Sequence, residues 1–349
     1  QTGGDLHAIL RLMLGELRAS HLDVSISGAG AGGSDGYTGL RFDPHELAER
    51  GALRVAEVVA DSPAALALDL AGDPSPVRVG EYLLAVDNAP IPAGTSLDAL
   101  LSRSVGRRVL LRLAESPASD PRQVALRPTD GASYERLRYR AWVSASKAYV
   151  ARASGDRLGY VHIPQMSYNA YQQFLADLDA ETHSKAGVVV DVRNNGGGHT
   201  ATFILDVLLR PSVLRSSFRG RRSVDDAHMA GNRVLGRPTV LVTNEHSGSN
   251  TEMLSESYRR LGLGPVVGKP TAGAVIWTWS TRLLDGSLLR LPRMRITTPE
   301  GEDLEGHGRP VDVDADKPLG EWARGIDRQL DAAVAALLAR IEVGSIRAD

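Results

Sequence analysis

The chain has 349 residues, of which 42% are hydrophobic and 23% charged, and its net charge is −2. This length suggests two or three domains, and the composition is that of a globular protein without the basic surplus that nucleic-acid binding requires. The chain has no cysteine, which excludes disulfides, thiolate metal sites and a cysteine nucleophile, and which fits the reducing cytoplasm where we expect the protein to reside. No run approaches the about 20 apolar residues that cross a bilayer, and the start lacks a basic segment, so neither a membrane partner nor a signal peptide is expected.

The beginning of the chain predicts a helix followed by a strand. Apolar residues recur at helical spacing over residues 5–19, and residues 22–26 alternate as a strand does. The run 28–36 consists almost entirely of Gly, Ser and Ala, which is typical of a flexible linker because it offers few side chains to bury.

From Tyr37 the pattern changes to short predicted strands separated by turns. Strands are predicted over 37–42, 53–59, 79–88 and 108–113, with short helices at 61–65 and near 97–101. This order, with Gly39-Leu40-Arg41-Phe42 in the place of a carboxylate-binding loop, resembles a PDZ domain covering residues 37–128. Consecutive N–H groups beside a glycine can hold a terminal carboxylate, and a strand edge can pair with an extended peptide. The alternative is a small β-domain that serves as a spacer, with its groove empty or covered.

After Tyr134, predicted helices alternate with predicted strands. Helices are predicted over 134–151, 170–178, 201–209, 251–261 and 319–341, and strands over 158–163, 187–192 and 239–243. Such alternation is typical of βαβ units around a mostly parallel sheet, which places this region in the α/β class. The segment 210–231 is expected to be a mobile or interface loop.

Three glycines follow the predicted strand 187–192. The segment Arg193-Asn194-Asn195-Gly196-Gly197-Gly198 then leads into a helix, so backbone N–H groups could converge on an anion there. It matches neither Gly-x-Gly-x-x-Gly nor a P-loop, which argues against a dinucleotide or nucleoside-triphosphate site. The motif alone leaves two interpretations open: an oxyanion hole or a tight turn.

A second turn of small residues follows the strand 239–243 and contains Ser247 and Ser249. A serine between a strand and a helix exposes its hydroxyl beside backbone N–H groups, as in a nucleophile elbow, although Gly-x-Ser-x-Gly is absent. The alternative is that one of these serines only caps the helix.

Four motifs in their order along the chain resemble the tricorn and C-terminal-processing (tail-specific) serine peptidases. They are DVRNNGGG (191–198), NEHSGSNTE (244–252), GKPTAG (268–273) and TPEGEDLEGHG (298–308). The segment GELRASH (15–21), ahead of the PDZ-like region, resembles the tricorn branch in particular. The resemblance implies a crotonase/ClpP-like α/β catalytic domain (129–349) with an inserted PDZ domain (37–128), preceded by a helix and strand (1–36) that carry the catalytic histidine.

The same resemblance implies the catalytic residues. Ser249 matches the nucleophile and His21 the general base, while Ser20 and Glu305 match the residues that orient and polarise the histidine. This chemistry is self-consistent, because a serine hydroxyl needs a base with a pKa near 7 and the imidazole needs an acceptor that fixes its tautomer.

Two further features follow from the resemblance. The N–H groups of Gly196, Gly197 and Asn250 would form the oxyanion hole. The other branch of the family uses a Ser–Lys dyad with the lysine directly after the glycine of the third motif, and here that position is Ala274, which favours the histidine machinery.

Residues outside these motifs are weaker candidates. His246 and His307 lie near site motifs and could line the substrate cleft, and Asp225 and Asp226 are candidates for specificity. The other histidines show no metal-ligand spacing, so neither a metal nor another cofactor is expected.

The predicted function is a serine endopeptidase that hydrolyses oligopeptides or unfolded polypeptide through an acyl-enzyme, and the resemblance implies a homo-oligomer. One alternative is a catalytically inactive, PDZ-based peptide-binding module on the same fold. Another is thioester chemistry, since crotonase-like folds share the oxyanion arrangement. Labelling by a fluorophosphonate distinguishes the enzyme from the binding module, because the reaction needs an activated serine.

Overall fold

The computed structural model describes residues 3–25, 35–92, 100–182, 184–217, 219–225 and 235–346. The chain divides into two compact units. We call Gly30–Ala145 the inserted unit, and Gln1–Ala29 together with Ser146–Asp349 the split unit.

An antiparallel sheet forms the inserted unit. Its strands are β2 (Leu40–Phe42), β3 (Leu53–Val58), β4 (Tyr82–Val86), β5 (Ala89–Pro90), β6 (Val109–Ala114) and β7 (Arg122–Leu126). They are ordered β2–β3–β4–β6–β7, with β5 paired to β4, and their alternate apolar side chains pack into one core. Helix α2 (Pro44–Arg50) begins after Asp43, whose carboxylate accepts the first free N–H groups of the helix.

The sequence predicts two short helices in the inserted unit, at 61–65 and near 97–101. The predicted helix at 61–65 is wrong: the segment forms turns. No helix continues from them, because Leu68 exchanges two backbone hydrogen bonds with Ala125 of β7 instead. The helix predicted near 97–101 lies mostly outside the described residues.

A parallel sheet forms the centre of the split unit. Its strands are β8 (Leu158–His162), β9 (Gly187–Asp191), β12 (Thr239–Thr243), β13 (Val266–Gly268) and β16 (Val313–Asp314), in the order β16–β13–β12–β9–β8. Every residue of β8, β9 and β12 is buried. Parallel strands that bury both faces read as continuous apolar runs, which is why the sequence predicted them well.

Helices cover this sheet. They are α4 (Tyr168–Thr182), α5 (Ala201–Leu208), α6 (Asn250–Arg260) and α7 (Arg328–Ile346). Helix α1 (Gly3–Gly15) is mostly exposed and contacts residues 23–25 instead, and α3 (Gly131–Ala153) contains the chain boundary between the two units. The last helix begins nine residues later than predicted; a short 3₁₀ turn, Trp322–Arg324, ends at Gly325 in the left-handed region, and Asp327 then accepts the N–H of Leu330. Within the described ranges, no helix is long and apolar enough to span a membrane.

A second sheet of the split unit is antiparallel. It consists of β1 (Asp23–Ser25), β15 (Leu288–Arg295) and β14 (Ile276–Arg282), in that order. Strand β1 was predicted at residues 22–26, whereas β14 and β15 were not predicted. A small hairpin, β10 (Arg215–Ser216) with β11 (Val224–Asp225), lies in the segment that was expected to be a loop.

The parallel register places three turns together. Asp191 at the end of β9 pairs with Val242 of β12, and Thr243 pairs with Gly268 at the end of β13. The carboxyl ends of these neighbouring strands therefore meet at one edge of the sheet, which is where ligands bind in open α/β sheets. Each strand leads there into one of the sequence motifs.

Candidate active site

Ser249 occupies the turn between β12 and α6 in a strained backbone conformation. Its φ is 55° and its ψ −122°, a combination that residues other than glycine rarely adopt and that often marks functional sites. The turn after β9 packs directly against it: a Cβ on Gly197 would lie 2.6 Å from the Ser249 Cβ and 2.8 Å from the Asn250 nitrogen. Residue 197 must therefore be glycine for the two turns to approach this closely.

The neighbouring Ser247 has a different environment. It is fully buried; its hydroxyl donates to the backbone oxygen of Val192 at 2.9 Å and accepts the N–H of Asn244 at 3.0 Å. Asn244 also exchanges two 2.9 Å hydrogen bonds with Asn194. Ser247 thus joins the turn after β12 to the turn after β9, whereas Ser249 lines a cleft.

An ion cluster lies behind the glycine turn. Arg193 is fully buried and pairs with Asp191 at 2.7 Å and with Asp327, beside α7, at 2.9 Å. Burial is the largest influence and raises the pKa of Asp191, but the charges of Arg193 and His162, together with the hydrogen bonds from Arg193, outweigh it, so the pKa is lowered. Arg193 is the first residue of the glycine turn 193–198, so this ion cluster fixes the position at which the turn begins.

His21 is held by a relay of hydrogen bonds. Its Nδ1 lies 2.7 Å from the Ser20 hydroxyl oxygen, and that hydroxyl donates to Glu305 Oε2 at 2.9 Å. The Ser20 N–H donates to the other carboxylate oxygen at 2.6 Å. Since the only hydroxyl proton goes to Glu305, the Ser20 oxygen accepts from Nδ1–H, and Nε2 is left as the unprotonated, basic nitrogen.

The charge state of His21 suits a base. Burial lowers the pKa of His21 most, the positive charge of Arg290 lowers it further, and Glu305 offsets part of this effect. The resulting pKa is below the ordinary value of imidazole, so the ring is neutral at neutral pH and can accept a proton.

One cleft of about 440 Å³ contains these groups. Its lining includes His21, Gly196, Ser249, Asn250, Trp277 and Arg290. His21 and Ser249 share the cleft, but within the described part of the chain no hydrogen bond joins their side chains. Nor do three His, Asp or Glu side chains gather there, or elsewhere in the described ranges, as metal ligands would.

The backbone N–H groups of the candidate oxyanion hole differ in whether they already have an acceptor. Asn250 is the first residue of α6, where a helix offers its N–H no internal acceptor. The N–H of Gly197, by contrast, donates to the side-chain oxygen of Asn195 at 2.9 Å. Gly196 lines the cleft beside both.

The weaker sequence candidates lie elsewhere. Neither His246 nor His307 lines the cleft: His246 is exposed, and the His307 ring donates to the backbone oxygen of Glu305. Asp225 pairs with Arg215 on the exposed hairpin, and Asp226 is outside the described residues.

Sequence reasoning missed Arg290 and Glu252. Arg290 lies on β15, and its Nε donates to the Thr278 hydroxyl across the sheet at 2.8 Å; no motif marks it. Glu252 is fully buried three residues after Ser249. The pattern Ser-x-x-Glu at a helix start is that of a capping box, which could have drawn attention to it.

Comparison with known proteins adds independent findings. Residues 157–315 match the profile of Peptidase family S41. The chain is 36% identical over 347 residues to Tricorn protease homolog 1 of Streptomyces coelicolor, covering 98% of this chain and 32% of that protein. It is 30% identical over 275 residues to the Tricorn protease of Thermoplasma acidophilum, covering 76% of this chain and 25% of that protein. The crystal structure of the tricorn protease superposes with a TM-score of 0.77 at 25% identity, over 98% of this chain and 33% of the other. The chain thus spans about a third of the length of these relatives or less.

Proposed function

Residues 157–315 belong to peptidase family S41, a family of serine-type peptidases, in a chain homologous to the tricorn proteases, and from this premise we propose a tricorn-like serine endopeptidase that hydrolyses oligopeptides. The observation that carries the proposal is the joint placement of Ser249 and His21 in one cleft. One nitrogen of His21 is hydrogen-bonded to Ser20, whose hydroxyl donates to Glu305, so the other nitrogen is available to the nucleophile.

The proposed reaction proceeds through an acyl-enzyme. Ser249 Oγ attacks the scissile carbonyl carbon while its proton passes to Nε2 of His21, and a hydrogen bond between them forms in the substrate complex. The imidazolium, stabilised by Glu305 through Ser20, protonates the leaving amine and the C–N bond breaks. A water molecule then gives a proton to His21 and attacks the ester carbon. The bond from that carbon to Ser249 Oγ breaks, His21 returns the proton to Ser249 Oγ, and the acid is released.

The N–H groups proposed for the oxyanion hole are those of Asn250 and of the Gly196–Gly197 turn. Asn250 is supported by its position at the helix start. For Gly197 to take part, its N–H must leave or share the side-chain oxygen of Asn195, which it now contacts.

Fluorophosphonate labelling tests the proposal against an inactive peptide-binding module. The wild type should be labelled at Ser249, and Ser249→Ala should not react. Ser247→Ala is the matched control: it should still be labelled, while losing about 1–3 kcal/mol of stability because Val192 and Asn244 lose a buried partner. An unlabelled wild type, or labelling that survives in Ser249→Ala, would count against the proposed nucleophile.

We also propose that the split unit has the crotonase/ClpP-like fold and that residues 37–128 are a PDZ domain with a peptide site at Gly39, Leu40, Arg41 and Phe42. The position of β2 at the edge of its sheet supports the peptide site, because an edge strand can pair with a peptide. The parallel order β16–β13–β12–β9–β8 supports an α/β fold for the split unit. Gly39 precedes β2 with φ 87° and packs against Ser62. The homo-oligomer and the cytoplasmic location stay predictions.

Peptides of different length and terminus test the PDZ proposal. Long peptides with a free C-terminus should have a lower KM than the same peptides amidated, and short peptides should show no difference. Deleting residues 37–128 should remove that preference. An equal loss for all peptides would mean that the inserted unit is only structural.

A further inference from the structure

Glu252 is a buried carboxylate with four hydrogen-bond donors. Its Oε1 accepts the N–H of Ser249 at 3.0 Å and that of Ala274 at 2.7 Å. Its Oε2 accepts the hydroxyl of Thr271 at 2.6 Å and the N–H of Gly273 at 2.7 Å. The side chain is fully buried. Each of its two carboxylate oxygens accepts two hydrogen bonds, so neither oxygen is buried without a donor.

The segment that contacts Glu252 also contacts the second carboxylate of the site. The N–H of Val275, the residue after Ala274, donates to Glu305 Oε2 at 2.8 Å. The same oxygen accepts the Ser20 hydroxyl that engages His21. Two successive backbone N–H groups thus go to two different carboxylates, one on the side of the nucleophile and one on the side of the base.

A helix cap alone does not account for these contacts. The capping function needs only the bond between Glu252 and the N–H of Ser249. The other three donors come from the segment after β13, which lies outside α6. Gly273 packs closely on that side as well, since a Cβ there would lie 2.9 Å from the Gly308 nitrogen, in the segment that carries Glu305.

We propose that Glu252 is a positioning residue of the active site, which fixes the Ser249 turn relative to Glu305, and hence to His21, through the backbone of residues 273–275. This inference rests on the proposed peptidase function. Its physical reason is that nucleophile and base must be held in a near-attack geometry, where a displacement of about 1 Å can cost roughly 10²-fold in rate.

Glu252→Gln tests it, because the variant keeps the size of the side chain but turns one acceptor into a donor that faces other donors. The expected result is a loss of kcat on the order of 10²-fold with little change in KM. Leu254→Ala is the matched control: it is fully buried in the same helix, so it loses stability through a cavity while its kcat stays near wild type below its unfolding temperature. Wild-type kcat in folded Glu252→Gln, or an equal loss of kcat in Leu254→Ala, would overturn the inference.

A second pair decides the matter if Glu252→Gln does not fold. Thr271→Val removes one donor to Glu252, and Thr271→Ser keeps it. We expect about a tenfold loss of kcat in Thr271→Val, as for one hydrogen bond of about 1.4 kcal/mol, and a near wild-type kcat in Thr271→Ser. Equal kcat values in the two variants would overturn the inference. A wild type inactive on all peptides would instead overturn the proposed function, and the inference with it.

Discussion

The nucleophile and the base of the candidate site are held by different kinds of contact. Ser249 follows a strand whose residues are all buried, and its turn is fastened by buried bonds such as that from Ser247 to Val192. His21 lies in a half-buried segment between α1 and the three-residue strand β1. Its side chain depends on Ser20 and Glu305.

This contrast shows where the geometry is most easily disturbed. Tight packing of a parallel sheet fixes the nucleophile, since packed interiors have few alternative arrangements. A relay of hydrogen bonds between partly exposed groups fixes the base, and such groups respond to charge and to pH. We therefore expect changes on the base side to tune the rate and changes at the two reacting groups to abolish it.

The largest effect should come from the reacting groups themselves. Ser249→Ala and His21→Ala should each lower kcat by about 10⁴–10⁶-fold, because nucleophile and base act as a unit. The double variant should then be little worse than either single one. The measurement is kcat on one peptide, with circular dichroism to show that each variant is folded. Additive losses would show that Ser249 and His21 do not act together, and they could then not be compared as nucleophile and base of one site.

An intermediate effect is expected for the relay. Ser20→Ala disconnects Glu305 from His21, and we expect kcat to fall by about 10–10³-fold, or roughly 1.4–4 kcal/mol of transition-state stabilisation. Glu305→Gln should be at least as severe, because Glu305 also accepts the N–H of Val275. The double variant should resemble the worse single variant, since both act through one relay. Wild-type rates in folded Ser20→Ala would reduce Ser20 to a turn residue.

The smallest effect concerns pH. The lowered pKa of His21 means that activity should rise with pH as the ring loses its proton, below the ordinary pKa of imidazole. Arg290→Gln removes a positive charge that lowers this pKa, so the acid limb of kcat/KM should move to higher pH. The variant should lose more activity at pH 6 than at pH 8.

Arg293→Gln is the control for this shift. Arg293 lies on the same strand, but its guanidinium rests on the Trp279 ring, 5.1 Å from the centroid, and it does not line the cleft. In Arg293→Gln, the acid limb of the kcat/KM profile should stay at the same pH as in the wild type. An unmoved limb in Arg290→Gln, or a limb moved to lower pH, would contradict the assigned electrostatics.

The sequence predicted the buried centre of the split unit better than the wall of the cleft. The run Val188–Val190 and its neighbours are apolar because both faces of the sheet are covered, so period and length identify them. Strand β15 carries several arginines and is largely exposed, and its pattern does not distinguish it from a loop. The cleft wall, with Arg290 and Trp277, was therefore missed.

The site itself could be predicted only in part. Ser247 and Ser249 lie in the same turn. Only the structure distinguishes them, because Ser247 is buried and Ser249 lines the cleft. The contact between Ser20, next to His21, and Glu305 joins distant parts of the chain, and no local pattern encodes it. That pairing came from resemblance to a family rather than from the physics of either segment.

The contacts of residues 273–275 have a consequence for how homologous sequences can diverge. Gly273, Ala274 and Val275 contribute backbone N–H groups, which every residue except proline has. Side chains at 274 and 275 can therefore be exchanged without loss of these bonds. An insertion or deletion cannot be accommodated in the same way, because one residue more or fewer would present the wrong N–H to each carboxylate. Surface loops ordinarily vary in length; in this segment we expect homologues to keep the length and a glycine at 273, and to vary in sequence at 274 and 275.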